Sequence, residues 1–144
     1  MQAKRWAMLA MIGTVMILAG CKEVKTTATH HPAKLEESGQ AGIMKVRLEE
    51  RAAERIGLQT APVREEMVGG VRRLVVPYGA IMYDTKGATW TFVNTEPLVY
   101  VRHKIIVENV EGDRVILAEG PAAGTSVVTV GAAELMGAEH KYGH

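Results

Sequence analysis

Residue types able to carry out chemistry are few in this chain. It holds one cysteine, Cys21, two serines, Ser38 and Ser126, two aspartates, Asp84 and Asp113, and five histidines. A serine nucleophile needs a positioned base and an orienting acid, and neither serine stands in a G-x-S-x-G elbow or another activating context. The aspartates fall in Asp84-Thr85-Lys86-Gly87 and Glu111-Gly112-Asp113, both of which read as turns. A single cysteine excludes an internal disulfide and a multi-thiolate zinc site. No Gly-rich phosphate loop or paired-carboxylate motif is present, so the expectation is a protein that is not an enzyme and carries no cofactor.

Histidine supports one sharper alternative. His30 and His31 lie in a polar segment near the start, His140 and His144 lie near the end, and His103 falls by alternation on the apolar face of a strand. Neutral imidazole suits copper, zinc and nickel, so a metal-binding role for the His-bearing ends is the competing function. No H-E-x-x-H motif or fixed ligand spacing accompanies these residues. The primary expectation is therefore no metal centre, with His30, His31, His140 and His144 as the candidates should one exist.

The first twenty residues read as an export signal: Lys4 and Arg5 form a charged start, Trp6 to Leu18 is apolar, and small residues follow. The apolar run is short of the roughly 20 residues needed to span a bilayer. It ends in Leu18-Ala19-Gly20-Cys21, which resembles the lipobox of bacterial lipoproteins. That resemblance implies cleavage before Cys21, diacylglycerol on its sulfur and acylation of the new amine. Two or more acyl chains make attachment stable, because each buried methylene contributes about 0.8 kcal/mol. The implied location is the periplasmic side of the cell envelope. Lys22 follows the cysteine where inner-membrane lipoproteins often carry Asp, which points to the outer membrane.

Loss of residues 1–20 removes two basic groups and leaves 15 Lys and Arg against 16 Asp and Glu. With near-neutral charge and no basic cluster, nucleic-acid binding has no electrostatic basis. Residues 21–42 carry the cysteine and then a polar run without either hydrophobic period, and read as a flexible tether.

From Ile43 the pattern changes. Met44, Val46 and Leu48 alternate with charged residues, as in a half-buried strand, and Glu50 to Ile56 reads as a short helix stopped by Gly57. Leu58 to Val63 suits an edge strand, given Pro62. Gly69-Gly70 marks a turn before Val71 to Val76, and the Asp84 to Gly87 loop joins a hairpin of Ile81 to Tyr83 and Thr89 to Val93. Leu98 to Val107 is the longest strand candidate, with Val99, Val101, Ile105 and Val107 on its apolar face. Turns at Glu111 to Asp113 and Pro121 to Gly124 lead to Val115 to Ala118 and Val127 to Val130. Tyr78, Tyr83, Trp90 and Phe92 are expected in the core, and Arg72-Arg73 on a solvated face. The fold class is all-β: a small antiparallel β-sandwich or barrel of about seven strands with one short helix, spanning 43–136, followed by a frayed polar tail at 137–144.

Two stretches resemble the membrane-proximal domain of the periplasmic adaptor subunits, or membrane fusion proteins, of resistance-nodulation-division (RND) efflux pumps. One is VRLEERAAERIGLQTAPV, Val46 to Val63, similar to the opening strand and helix of the mature adaptor. The other runs from Val75 to Leu135 and includes VVPYGAIMYDTKGATWTFV, VRHKIIV, EGDRVILAEG and GTSVVTVGAAEL. In full adaptors a lipoyl-like domain, usually a helical hairpin, and a β-barrel domain lie between them. Here only Arg64 to Leu74 does, read as a short closing loop. Glu108-Asn109 and Gly120-Pro121 depart from the family pattern at two loops. The resemblance implies a membrane-anchored accessory or adaptor-like module of an RND-type efflux system, with lipid as one partner, through acylated Cys21, and an RND transporter or adaptor subunit as another.

Overall fold

The computed structural model describes residues 31–142. The expected signal peptide, Cys21, His30 and His144 lie outside the described residues. Among those described, eleven strands, two α-helices and one 3-10 turn follow in the order β1 (Ala33–Glu37), β2 (Met44–Leu48), α1 (Glu50–Ile56), β3 (Gln59–Pro62), β4 (Arg64–Val68) and β5 (Val71–Pro77). The 3-10 turn (Tyr78–Ala80), β6 (Met82–Tyr83), β7 (Thr89–Glu96) and β8 (Val99–Lys104) come next, then β9 (Ile106–Glu111), β10 (Arg114–Glu119), β11 (Ser126–Val130) and α2 (Ala132–Tyr142).

The strands form two antiparallel sheets, as the sequence led us to expect. The larger has the order β1-β2-β8-β7-β11-β3, with β6 also paired to β7, and the smaller has the order β4-β5-β10-β9. β3, which ends in Pro62, is an edge strand, where the missing N–H costs no ladder bond. α1 occupies the expected residues. Gly57 stops it in the left-handed region (φ 66°), while the amides of Gly57 and Leu58 close back onto Glu54 O and Ala53 O.

The large sheet is buried on both faces. On one, Ala33, Val46, Leu48, Phe92, Tyr100 and Val128 pack under Ala132 and Leu135 of α2. On the other, a second core joins Val63, Val76, Ala80, Ile81, Ile105, Val115, Leu117 and Val127. Single-residue alternation explains the division: Phe92 and Val128 serve the first core, while Val93 and Val127, the adjacent residues, serve the second.

Crossings between the sheets are anchored by buried residues. Val63, between β3 and β4, donates to Thr125 O and accepts from the Gly124 amide, both at 2.8 Å. Ile105, between β8 and β9, donates to Thr89 O at 3.0 Å while its carbonyl accepts from Thr89 Oγ1 at 2.8 Å. At the 3-10 turn, a Cβ on Gly79 would lie 2.6 Å from Thr129 O, so the close approach of that turn to β11 requires glycine.

Five expectations are corrected. The supposed tether contains β1, whose Ala33 and Leu35 pack in the first core and whose register with β2 runs from Ala33 opposite Leu48 to Glu37 opposite Met44; the folded domain thus begins before residue 43. The 137–144 tail is in its described part the end of α2, held by buried Glu139. The 98–107 strand is two strands in different sheets, divided at Ile105. The closing loop at 64–74 is instead the β4–β5 hairpin. Finally, Phe92 is fully buried, but Tyr78 and Tyr83 are 48% and 55% exposed, because they flank the turn that leaves the small sheet.

The Ile105 crossing supplies a stability test. Ile105→Ala is expected to lower the unfolding free energy by about 2–5 kcal/mol through loss of buried methyls and the cavity left behind. Val110→Ala, at an exposed site on β9, should cost well under about 1 kcal/mol. Urea denaturation of both variants checks this; similar losses at the two sites would contradict the role given to the crossing.

Candidate functional site

The most elaborate polar arrangement in the domain is centred on Arg102. It lies on β8 opposite Phe92, on the face of the large sheet that α2 covers. Its Nε stands 2.8 Å from Glu139 Oε2, and its Nη2 donates to Glu139 Oε1 at 3.0 Å and to Gly42 O at 3.1 Å. Glu139 Oε1 also accepts the Met44 amide at 3.1 Å. The Nε–Oε2 contact is an ion pair without good hydrogen-bond alignment. The two side chains are only 11% and 4% exposed, so the pair is well shielded from solvent.

Trp90 completes the arrangement. The guanidinium carbon of Arg102 lies 4.5 Å from the Trp90 ring centroid, a cation–π geometry. The indole Nε1 donates to Asp84 Oδ2 at 3.0 Å, and Asp84 Oδ1 accepts the Lys86 and Ala88 amides at 2.8 and 2.9 Å. These bonds, that from Trp90 foremost, hold the Asp84 carboxyl below its ordinary range. Asp84 is thus committed to shaping its loop. Ser38 is likewise committed, its hydroxyl donating to Ile43 O and accepting from the Gln40 amide at 3.1 Å. The network ties β8, α2, the loop before β2 and the β6–β7 hairpin together.

The outer face of the small sheet is a second polar surface. Arg114 pairs with Glu66 at 3.3 Å and Glu111 at 3.7 Å, and Arg73 pairs with Glu108; on the opposite face of the hairpin Arg72 pairs with Glu65 at 3.3 Å. A groove of about 440 Å³ runs beside Arg64, Glu66, Asp113 and Arg114 over Val75 and Val76. Arg72 and Arg73 are therefore both paired, on opposite faces of β5. Similar pairing joins Arg47 to Glu36 at 2.7 Å on the large sheet, and the bond from Arg47 lowers the Glu36 pKa.

The described histidines do not come together. His103 keeps the Val99 and Val101 side of β8 but is exposed there, and its Nδ1 contacts Lys104 O at 2.8 Å; His140 Nδ1 contacts Met136 O at 2.8 Å. His31 is exposed at the start of the described chain. Among the described residues, no group of three or more His, Cys, Asp or Glu is arranged to hold a metal ion.

No known protein family matches the chain, and no curated protein does. Among solved structures it is similar to a 180-residue NMR structure encompassing the N-terminal metal-binding site and the membrane-proximal domain of SilB from Cupriavidus metallidurans CH34. The two are 26% identical with a TM-score of 0.44, and the match covers 54% of this chain and 42% of that one. The chain thus spans less than half of that structure.

Two outcomes test the network. Removing one partner of the shielded pair, as in Glu139→Gln or Arg102→Met, is expected to cost about 3–5 kcal/mol by leaving the other charge unpaired, and Arg102→Met/Glu139→Met should recover part of it. Chemical denaturation of the three variants measures this. For acid sensitivity, Asp84 and Glu36 have folded pKa values below their unfolded ones, so their contribution is present above the unfolded values and is lost as pH falls through the folded ones. Asp84→Asn should flatten the fall of the melting midpoint between about pH 5 and about pH 1; an unchanged slope would count against the Trp90–Asp84 link.

Proposed function

We propose that this protein is a non-enzymatic accessory module of an RND-type efflux system, held in the cell envelope by acylated Cys21 and docking through its surface on a transporter or adaptor subunit. One observation carries the reading. The two stretches that resemble an adaptor's membrane-proximal domain fold together, and the β4–β5 hairpin stands where adaptors carry their long arm. Among the described residues no arm extends from that position, and the role proposed for the domain in a pump is therefore one of contact.

The polar groups support a contact role. Asp84, Ser38, Arg102 and Glu139 are engaged in holding loops and the C-terminal helix, and Arg72, Arg73 and Arg114 on the small sheet are each paired with a glutamate. Stable docking surfaces bury about 1,200–2,000 Å² in total and transient ones less, an area one side of a domain of this size can supply.

Crosslinking in whole cells is expected to recover a pump transporter or adaptor subunit, with recovery unchanged when all five histidines are replaced. Failure of that capture, together with copper or zinc binding at micromolar affinity by the purified protein, would favour the metal-binding alternative. The anchor is tested separately. Cys21→Ser should leave uncleaved precursor or release the protein from membranes, and a Cys21→Ser protein that still fractionates as mature, membrane-bound lipoprotein would refute it.

A further inference from the structure

The outer face of the small sheet has an apolar floor that neither core uses. Leu74, Val76, Val115 and Leu117 turn inward to the second core, so by alternation Val75 and Ile116, opposite each other on β5 and β10, turn outward. Both are nonetheless buried, at 3% and 2% exposure. Strand register shows what shelters them. Arg114 stands opposite Pro77 and Glu66 opposite Arg73, so the Arg114–Glu66 bridge reaches from β10 to β4 across β5 and over Val75. That cover is itself partly in water, its side chains 47% and 33% exposed, and Arg114 has Glu111 at 3.7 Å as a second partner. An exposed pair of this kind contributes little to stability, so opening it costs little.

The groove beside the bridge is walled by two charges that the domain leaves unused. Arg64 and the Asp113 carboxylate both line it, and among the described residues neither makes an ion pair or a side-chain hydrogen bond. A ligand of one sign would meet a like charge at one of these walls; a segment carrying both signs would satisfy the two. Between them lie Val75 and Pro77. Tyr78, whose amide donates to Asp113 O at 2.9 Å, adds an exposed aromatic residue next to the groove. Tyrosine and arginine around an apolar centre mark protein contacts, whereas a small-molecule site encloses most of its ligand, and Arg64, Asp113 and Arg114 stand in solvent here.

We propose that this groove is where the domain docks on its pump partner, and that it takes a protein segment bearing an apolar side chain between an acidic and a basic one. The acidic group pairs with Arg64, the basic group with Asp113, and the apolar side chain settles on Val75 and Pro77 as Arg114 releases Glu66 and keeps Glu111. This rests on the reading of the protein as a pump-docking module. The test uses the full protein in whole cells, with photoreactive p-benzoylphenylalanine in place of Tyr78, and chemical crosslinking of the unaltered protein alongside. Illumination is expected to join position 78 to a transporter or adaptor subunit, at a stretch carrying both charges around an apolar residue. Arg64→Glu and Asp113→Lys should each reduce that capture several-fold, while Lys86→Glu on the β6–β7 loop leaves it unchanged; Arg64→Gln replaces Arg64→Glu if the reversal lowers the melting midpoint. Capture that the Arg64 variants leave intact overturns the proposal, as does a joined stretch lacking either charge, or lipid or a second copy of this chain as the species joined. If chemical crosslinking recovers no pump subunit, the docking reading falls and the groove's role with it; if it recovers one that position 78 does not reach, the groove alone is wrong.

Discussion

The constraint on which this fold depends is the passage of one chain back and forth between two sheets. From β3 it enters the small sheet at Val63, returns through the 3-10 turn, leaves again at Ile105 and comes back before β11. Each passage interrupts a ladder, and the backbone groups there must find other partners while out of water. The bonds of Val63 to the 124–125 turn and of Ile105 to Thr89 answer that requirement. Val63, Ala80, Ile81 and Ile105 also make up half of the second core's eight buried residues. The crossings therefore form the core that joins the sheets, and loosening one would expose both.

The opposite face of the large sheet is organised by Arg102 and Glu139. An ion pair in such surroundings is a modest source of net stability, since desolvation offsets much of the attraction, but its geometry is demanding. Glu139 can accept from Arg102 and from the Met44 amide only if α2 lies at one height over β2 and β8. The pair thus fixes the register of the C-terminal helix against the loop that joins β1 to β2. Leu135 and Ala132 supply apolar burial for the same docking. Division of labour follows: apolar residues hold the helix down, and the ion pair says where.

Local signals were legible in the sequence, and long-range ones were not. α1, the Asp84–Gly87 hairpin and the edge character of β3 follow from periodicity, glycine placement and Pro62. The break at Ile105 was hidden because Ile105 and Val107 keep the alternation of Val99 and Val101 while the chain changes sheets. β1 offers only Ala33 and Leu35 as apolar residues, too few for a period, and it becomes a strand because β2 presents an edge to it. Glu139 falls in what read as a polar tail and Arg102 off the apolar face of the 98–107 strand, since a charge is buried only by virtue of its partner, here distant in sequence. The same applies to the network around Trp90, for which Arg102 alternating with Tyr100 was the one faint signal.

With one sheet face under α2 and much of the other against the small sheet, the surfaces left for recognition are edges, turns and the outside of the small sheet. The edges are poorly suited to recruiting a foreign strand. β3 ends in Pro62, β4 begins Arg64-Glu65-Glu66, β1 carries Lys34 and Glu36, and the β9–β10 ladder is irregular around Asn109 and Val107. Proline, charge and irregularity are the means by which sheet edges resist pairing with another chain. Recognition by this domain must therefore run through side chains on turns and on the paired-charge face. On that face every bridged arginine already has an acidic neighbour, so a partner has to exchange bridges as well as add new ones. Such exchange in high dielectric yields little free energy per pair, which favours contacts that are specific in register and reversible in affinity, the regime in which an anchor of the kind proposed for Cys21 would raise local concentration most usefully.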